Sequence, residues 1–72
     1  MKVLLRNMVT GFYYRGGREW TSDRKQALDL CRTEEALRTA ARLRLEAAEV
    51  VLAFADPADD LKLPCGGRWW QN

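Results

Sequence analysis

Thr33 to Leu43 reads TEEALRTAARL, and Ala48 to Phe54 reads AEVVLAF. The first stretch has a helical period: Ala36, Leu37, Ala40, Ala41 and Leu43 fall on one stripe, with Glu34, Glu35, Arg38 and Arg42 opposite. The second alternates as a strand does. Ala48, Val50, Leu52 and Phe54 make one strongly apolar face, and Glu49, Val51 and Ala53 make another that is nearly so. Apolar character on both faces suits a central strand whose second face also meets something. A helix followed at once by such a strand requires a sheet for the helix to cover.

Details of the helix follow from its ends. Thr33 reads as the N-cap, Glu34 and Glu35 sit in the first turn where the dipole favours negative charge, and Glu34 precedes Arg38 at the favourable i,i+4 spacing. Arg44 would project from the apolar stripe, so the helix stops near Leu43 or Arg44 and Leu45 folds back as a hydrophobic contact. The stop lacks its usual glycine, which loads backbone strain onto Arg44.

Upstream, Lys2 to Met8 reads as a strand and Thr10-Gly11 as a turn. Phe12-Tyr13-Tyr14-Arg15 and Arg18-Glu19-Trp20-Thr21 flank Gly16-Gly17, and two glycines give a two-residue hairpin loop its positive φ at no steric cost. That loop pairs Arg15 with Arg18, Tyr14 with Glu19, Tyr13 with Trp20 and Phe12 with Thr21. Tyr13, Arg15, Arg18 and Trp20 then share one side, and Phe12, Tyr14, Glu19 and Thr21 the other. Both sides are amphipathic, which leaves the buried one open. Ser22 or Asp23 can cap a short helical turn over residues 24–28.

Downstream, Asp56-Pro57 ends the AEVVLAF strand. Ala58 to Leu63 reads as acidic loop with a short extended pairing at Leu61 to Leu63, and Pro64-Cys65-Gly66-Gly67 as a flexible joint. The expectation is an α+β fold: a small, mostly antiparallel sheet, with elements in the order strand, strand, strand, helix, strand, covered on one face by one main helix. Residues 1–64 form the single domain and residues 65–72 a C-terminal tail.

Glu19-Trp20-Thr21-Ser22-Asp23, then Ala27, Leu30 and Thr33-Glu34-Glu35-Ala36-Leu37, resembles a pattern of small uncharacterised bacterial and phage-associated proteins. In those, Trp-Thr-x-Asp precedes an alanine, an aromatic and an alanine-bearing helix. Leu4-Leu5-Arg6-Asn7 with Thr10-Gly11 and Tyr13-Tyr14 is similar to their start. The resemblance covers residues 4 to 64 and implies a shared fold with no activity or catalytic residue attached. Leu30 stands where the pattern has an aromatic, and the tail lies outside it.

Composition narrows the chemistry. The chain has 72 residues, 47% hydrophobic and 31% charged, with a net charge of +2 and no histidine. Such a length holds one small domain with a thin core. Lacking histidine, it lacks the commonest general base and the commonest nitrogen ligand for metals. No phosphate loop, metal spacing or nucleophile–base arrangement stands out, so the expectation is a non-catalytic protein without cofactors. Cys31 and Cys65 form no CxxC pair and read as reduced thiols, Cys31 buried and Cys65 exposed. No run of 18 apolar residues is present and the N-terminal apolar run is too short for an export signal, which points to the cytoplasm and away from membranes.

Two functional readings remain. The first is a small interaction or accessory protein that meets itself or another protein through an apolar second sheet face, around Val51 and Ala53, or through Trp69-Trp70 in the tail. The second is single-stranded nucleic-acid binding. There Tyr13, Tyr14 and Trp20 stack bases while Arg6, Arg15 and Arg18 meet phosphates. Against it, tyrosine and tryptophan are ordinary strand residues; a separate basic helix face of Arg32, Arg38, Arg42 and Arg44 is cancelled by the interleaved Glu34, Glu35, Glu46 and Glu49. Asp56, Asp59 and Asp60 lack calcium-loop spacing.

Two adjacent tryptophans left in water cost about 25 cal/mol per Å² of apolar surface, so the tail is expected to fold back on the core. Deleting residues 66–72 should lower the thermal midpoint by several degrees, read by circular dichroism; an unchanged midpoint would mean the tail does not dock.

Overall fold

The computed structural model describes residues 1–66, and Trp69 and Trp70 lie outside the described residues. Five strands form one antiparallel sheet: β1 (Lys2–Asn7), β2 (Tyr13–Gly16), β3 (Glu19–Thr21), β4 (Ala47–Ala53) and β5 (Leu61–Gly66). Their order across the sheet is β3-β2-β1-β4-β5, and one helix, α1 (Thr33–Arg42), packs on β1 and β4. The fold is α+β, as the change of period across residues 33–54 requires.

β4 lies inside the sheet, between β1 and β5, and its apolar residues are buried on both faces. Val3, Val50 and Ala36 pack together on the helix side, beside Leu5, Ala48, Ala40, Leu45 and Tyr14. On the opposite side Leu4, Val51 and Ala53 form a third cluster, against which Tyr13 and Ala27 pack. Val51 is 0% exposed and Ala53 5%. The exposed apolar patch expected around these two residues is therefore absent; the face is covered instead.

The covering comes from residues 24–30. Asp23 caps a 3₁₀ turn over Arg24–Gln26, its carboxylate accepting from the Lys25 N–H at 2.9 Å. Ala27 then packs on the far face and Leu30 on the helix face. Between them the chain crosses the sheet through a gap, because β1 and β2 are in register only at Arg6 and Tyr13. The segment takes over the backbone groups that the gap leaves free. Leu28 N–H donates to Tyr14 O at 2.9 Å, Leu30 N–H to Val3 O at 2.8 Å, and Val3 N–H to Asp29 Oδ1 at 3.0 Å. Buried backbone groups need such partners.

Beyond the gap, Arg32 N–H donates to Leu30 O at 2.7 Å across Cys31, whose φ is 69°. A three-residue turn of this hand is strained. Cys31 is exposed, contrary to the buried thiol expected of it, because its turn lies at the surface where the chain swings into α1. The helix has Arg32 as its N-cap, one residue before Thr33, with no side-chain cap bond.

At its C-terminal end Arg44 N–H donates to Ala41 O at 3.0 Å and Leu45 N–H to Ala40 O at 3.1 Å. This is a Schellman closure. Arg44 holds its left-handed position at φ 53°, and Leu45 folds back and is buried.

The C-terminal segment corrects the sequence reading. Asp56 caps a second 3₁₀ turn, Pro57–Asp59, and what reads as an acidic loop and flexible joint becomes the full strand β5, paired with β4 from Leu52–Leu61 to Ala47–Gly66. The strand thus continues past Pro64, where the domain was expected to end. Met8 N–H donates to Ala47 O, which aims alternate β4 residues at β1 and leaves Ala48, Val50 and Leu52 facing β5. Leu61, Leu63 and Cys65 accordingly turn their backbone groups inward, while Lys62 and Pro64 turn theirs to the open edge. Proline is tolerated there because no donor is needed. Cys65 is half-buried, not exposed, and desolvation raises its thiol pKa.

A left-handed backbone costs a non-glycine residue about 1–2 kcal/mol, against about 0.5–1 kcal/mol of extra unfolded-state entropy for glycine. Arg44→Gly should therefore stabilise the fold by about 0.5–1 kcal/mol, seen as a higher urea midpoint at unchanged slope.

Candidate functional site

The hairpin residues are split between the two faces. Tyr13 pairs with Thr21, Tyr14 with Trp20 and Gly16 with Glu19, so the register differs by one residue from that expected of a Gly16-Gly17 loop. Two residues of β2 step past one of β3 between Tyr14 and Gly16, which makes Arg15 the extra residue of a β-bulge and Gly17-Arg18 the loop. Gly16 and Gly17, at φ 110° and 59°, supply the backbone freedom for bulge and loop.

The bulge places Tyr14 and Trp20 on the same side, where their rings meet edge-on with centroids 5.6 Å apart, and Tyr14 Oη donates to Gly17 O at 3.1 Å. Burial of two large rings against each other and the helix-side cluster outweighs the disrupted ladder. Trp20 therefore belongs to the helix face, and Tyr13, expected beside it, to the opposite one. Arg15 and Arg18 are exposed at bulge and loop. No single surface carries Tyr13, Trp20 and the arginines together.

Tyr13 is half-buried beneath Arg6, whose guanidinium lies 6.0 Å from the ring centroid. Arg6 also donates to Gly11 O at 3.2 Å and pairs with Glu49 at 3.4 Å. Glu49 is 6% exposed, so Arg6 answers a buried carboxylate and is not free for a phosphate. On α1, Arg38 pairs with Glu35 at 2.6 Å, where Glu34 was the expected partner.

Sequence reading placed the turn between β1 and β2 at Thr10-Gly11 but missed the apolar residues that it exposes. Met8, Val9 and Phe12 are 42%, 65% and 46% exposed. Its backbone is held by its own polar groups. Asn7 N–H donates to Phe12 O at 2.8 Å, Gly11 N–H to Asn7 O at 2.7 Å, and Val9 N–H to Asn7 Oδ1 at 2.9 Å. Phe12 N–H donates to Thr10 Oγ1 at 3.3 Å. The signal was present as three large apolar residues within five, around a Thr-Gly dipeptide.

At the other end of β1, Arg24 donates through Nε and Nη2 to the two oxygens of Asp60, both at 2.7 Å, and through Nη2 to Phe54 O. Asp60 also accepts from Phe54 N–H at 2.9 Å. This fork ties the covering segment to the β4–β5 connection. It holds the Asp60 carboxyl below the usual range and raises the guanidinium.

No family model matches the chain, and no curated protein or solved structure matches it.

Two carboxyls are held below their ordinary range: Asp60, lowered first by the Arg24 hydrogen bonds, and Asp29, lowered first by the Val3 N–H. Folded pKa values below the unfolded value of about 4 give stability that is present above about pH 4 and lost as pH falls through the folded values. Thermal midpoints should hold from pH 7 to about 5 and fall below about 4. Asp60→Asn should melt lower than wild type at pH 7, with the gap closing towards about pH 2.

Proposed function

We propose that this protein is a small, non-catalytic interaction or accessory domain that meets a protein partner through the turn carrying Met8, Val9 and Phe12. The observation that carries this reading is their exposure on a backbone held by its own hydrogen bonds. Large apolar side chains on a backbone held before binding spare the cost of ordering that backbone when a partner groove takes them, and aromatic and methionine anchors are typical of interface centres.

The sheet face around Val51 and Ala53 does not support this role, since it is covered. The single-strand reading also loses ground. Its rings need an open common platform, whereas Trp20 packs against Tyr14 and Tyr13 lies under Arg6.

The test is site-specific photo-crosslinking in the native host. A photoreactive residue replacing Val9 should give discrete protein adducts. The same residue replacing Arg38 or Asp59, both exposed and polar, should not, and adding Phe12→Ser to the Val9 probe should weaken the adducts. Equal adducts from all three positions would overturn the proposal. So would adducts that Phe12→Ser leaves unchanged.

A further inference from the structure

At the opposite end of β1 from that turn, a cleft of about 290 Å³ opens between the start of β1, the 3₁₀ turn at Arg24 and the end of β4. Its base is apolar and fixed: Leu4 is 1% exposed and Ala53 5%, with Phe54 alongside. The remaining side chains with charge are Lys2, Arg24 and Lys25, and no acidic residue lines it among the described residues.

The three cations differ in state. Arg24 is immobilised by Asp60 and Phe54 O, with its Nη1 unpartnered among the described residues. The ammonium groups of Lys2 and Lys25 enter no ion pair among the described residues. A guanidinium locked in place beside two unpaired ammoniums, over buried aliphatic carbon, is complementary to one kind of molecule. Its head is anionic and its body apolar. Size then limits the body, because the cleft is at the small end of ligand pockets and corresponds to roughly ten waters of liquid volume.

We infer that this cleft is a binding site for a small apolar monocarboxylate, the carboxylate meeting Lys2, Lys25 and the free Arg24 donor and the hydrocarbon lying over Leu4, Ala53 and Phe54. The inference stands apart from the proposed role of the Met8–Phe12 turn and does not depend on it. Charge supplies the specificity here: a neutral molecule of the same shape covers the same apolar base and leaves the ammoniums unanswered.

Octanoate and 1-octanol, titrated separately into ¹⁵N-labelled protein at pH 7, test this. Octanoate should give saturable amide shifts at Lys2, Leu4, Lys25 and residues 53–55, with a Kd of about 1 mM for a ligand of this size. Octanol should bind about tenfold more weakly. Lys2→Ala/Lys25→Ala, at two exposed positions, should melt as wild type does and also bind octanoate about tenfold more weakly. The inference is overturned by shifts that do not saturate, by shifts centred on Met8 to Phe12, by equal binding of octanol, or by undiminished binding to the double variant. Replacing Val9 and Phe12 by serine should leave octanoate binding unchanged, which separates this site from the proposed interaction turn.

Discussion

Val3 is the residue on which the architecture turns. It stands in β1, the middle strand of the five, between β4 on one side and, where β2 should continue, a gap. Leu30 N–H and the Asp29 carboxylate close that gap, one answering the Val3 carbonyl and the other its amide. Because the closing segment enters from one face and leaves on the other, a single stretch of chain covers Leu4 and Val51 and then starts the helix that covers Val3 and Val50. A domain this small buries only a modest share of its surface. Crossing the sheet gives it two buried faces with one helix.

The same crossing explains which parts of the fold could be read in advance. β4 and α1 declare themselves through period, and Arg44 declares the end of α1 because its charge breaks the apolar stripe. These are local signals. The hairpin register is not local: Gly16-Gly17 allows several loops, and the bulge at Arg15 wins only because it brings Trp20 and Tyr14 together over the helix-side core. Cys31 looked buried because small apolar residues usually are; its exposure follows from a turn that exists only to connect the crossing segment with α1. β5 was obscured by Lys62 and Pro64, which weaken any strand pattern, yet both occupy positions that β4 does not use. Of the candidate site, Tyr13, Arg15, Arg18 and Trp20 were legible as residues but not as a surface, since their faces depend on that register.

Three arginines are spent on the fold. Arg6 serves Glu49, Arg24 serves Asp60 and Arg38 serves Glu35. Exposed pairs such as the last contribute little, but the first two hold elements far apart in sequence, and they explain why arginine content alone is a poor guide to partners here. The two ends of β1 differ in character, with exposed apolar side chains at one and, among the described residues, unpaired lysines over an apolar base at the other.

Lys62 and Pro64 carry a consequence for the molecule in a crowded solution. A strand arriving from another copy would find, along the open side of β5, one imino nitrogen with nothing to donate and one ammonium-bearing position that repels its own counterpart. The other margin of the sheet, β3, is only three residues long. Among the described residues, both margins thus offer an added strand little to pair with. The exposed leucines at 61 and 63 stand on one of these protected margins.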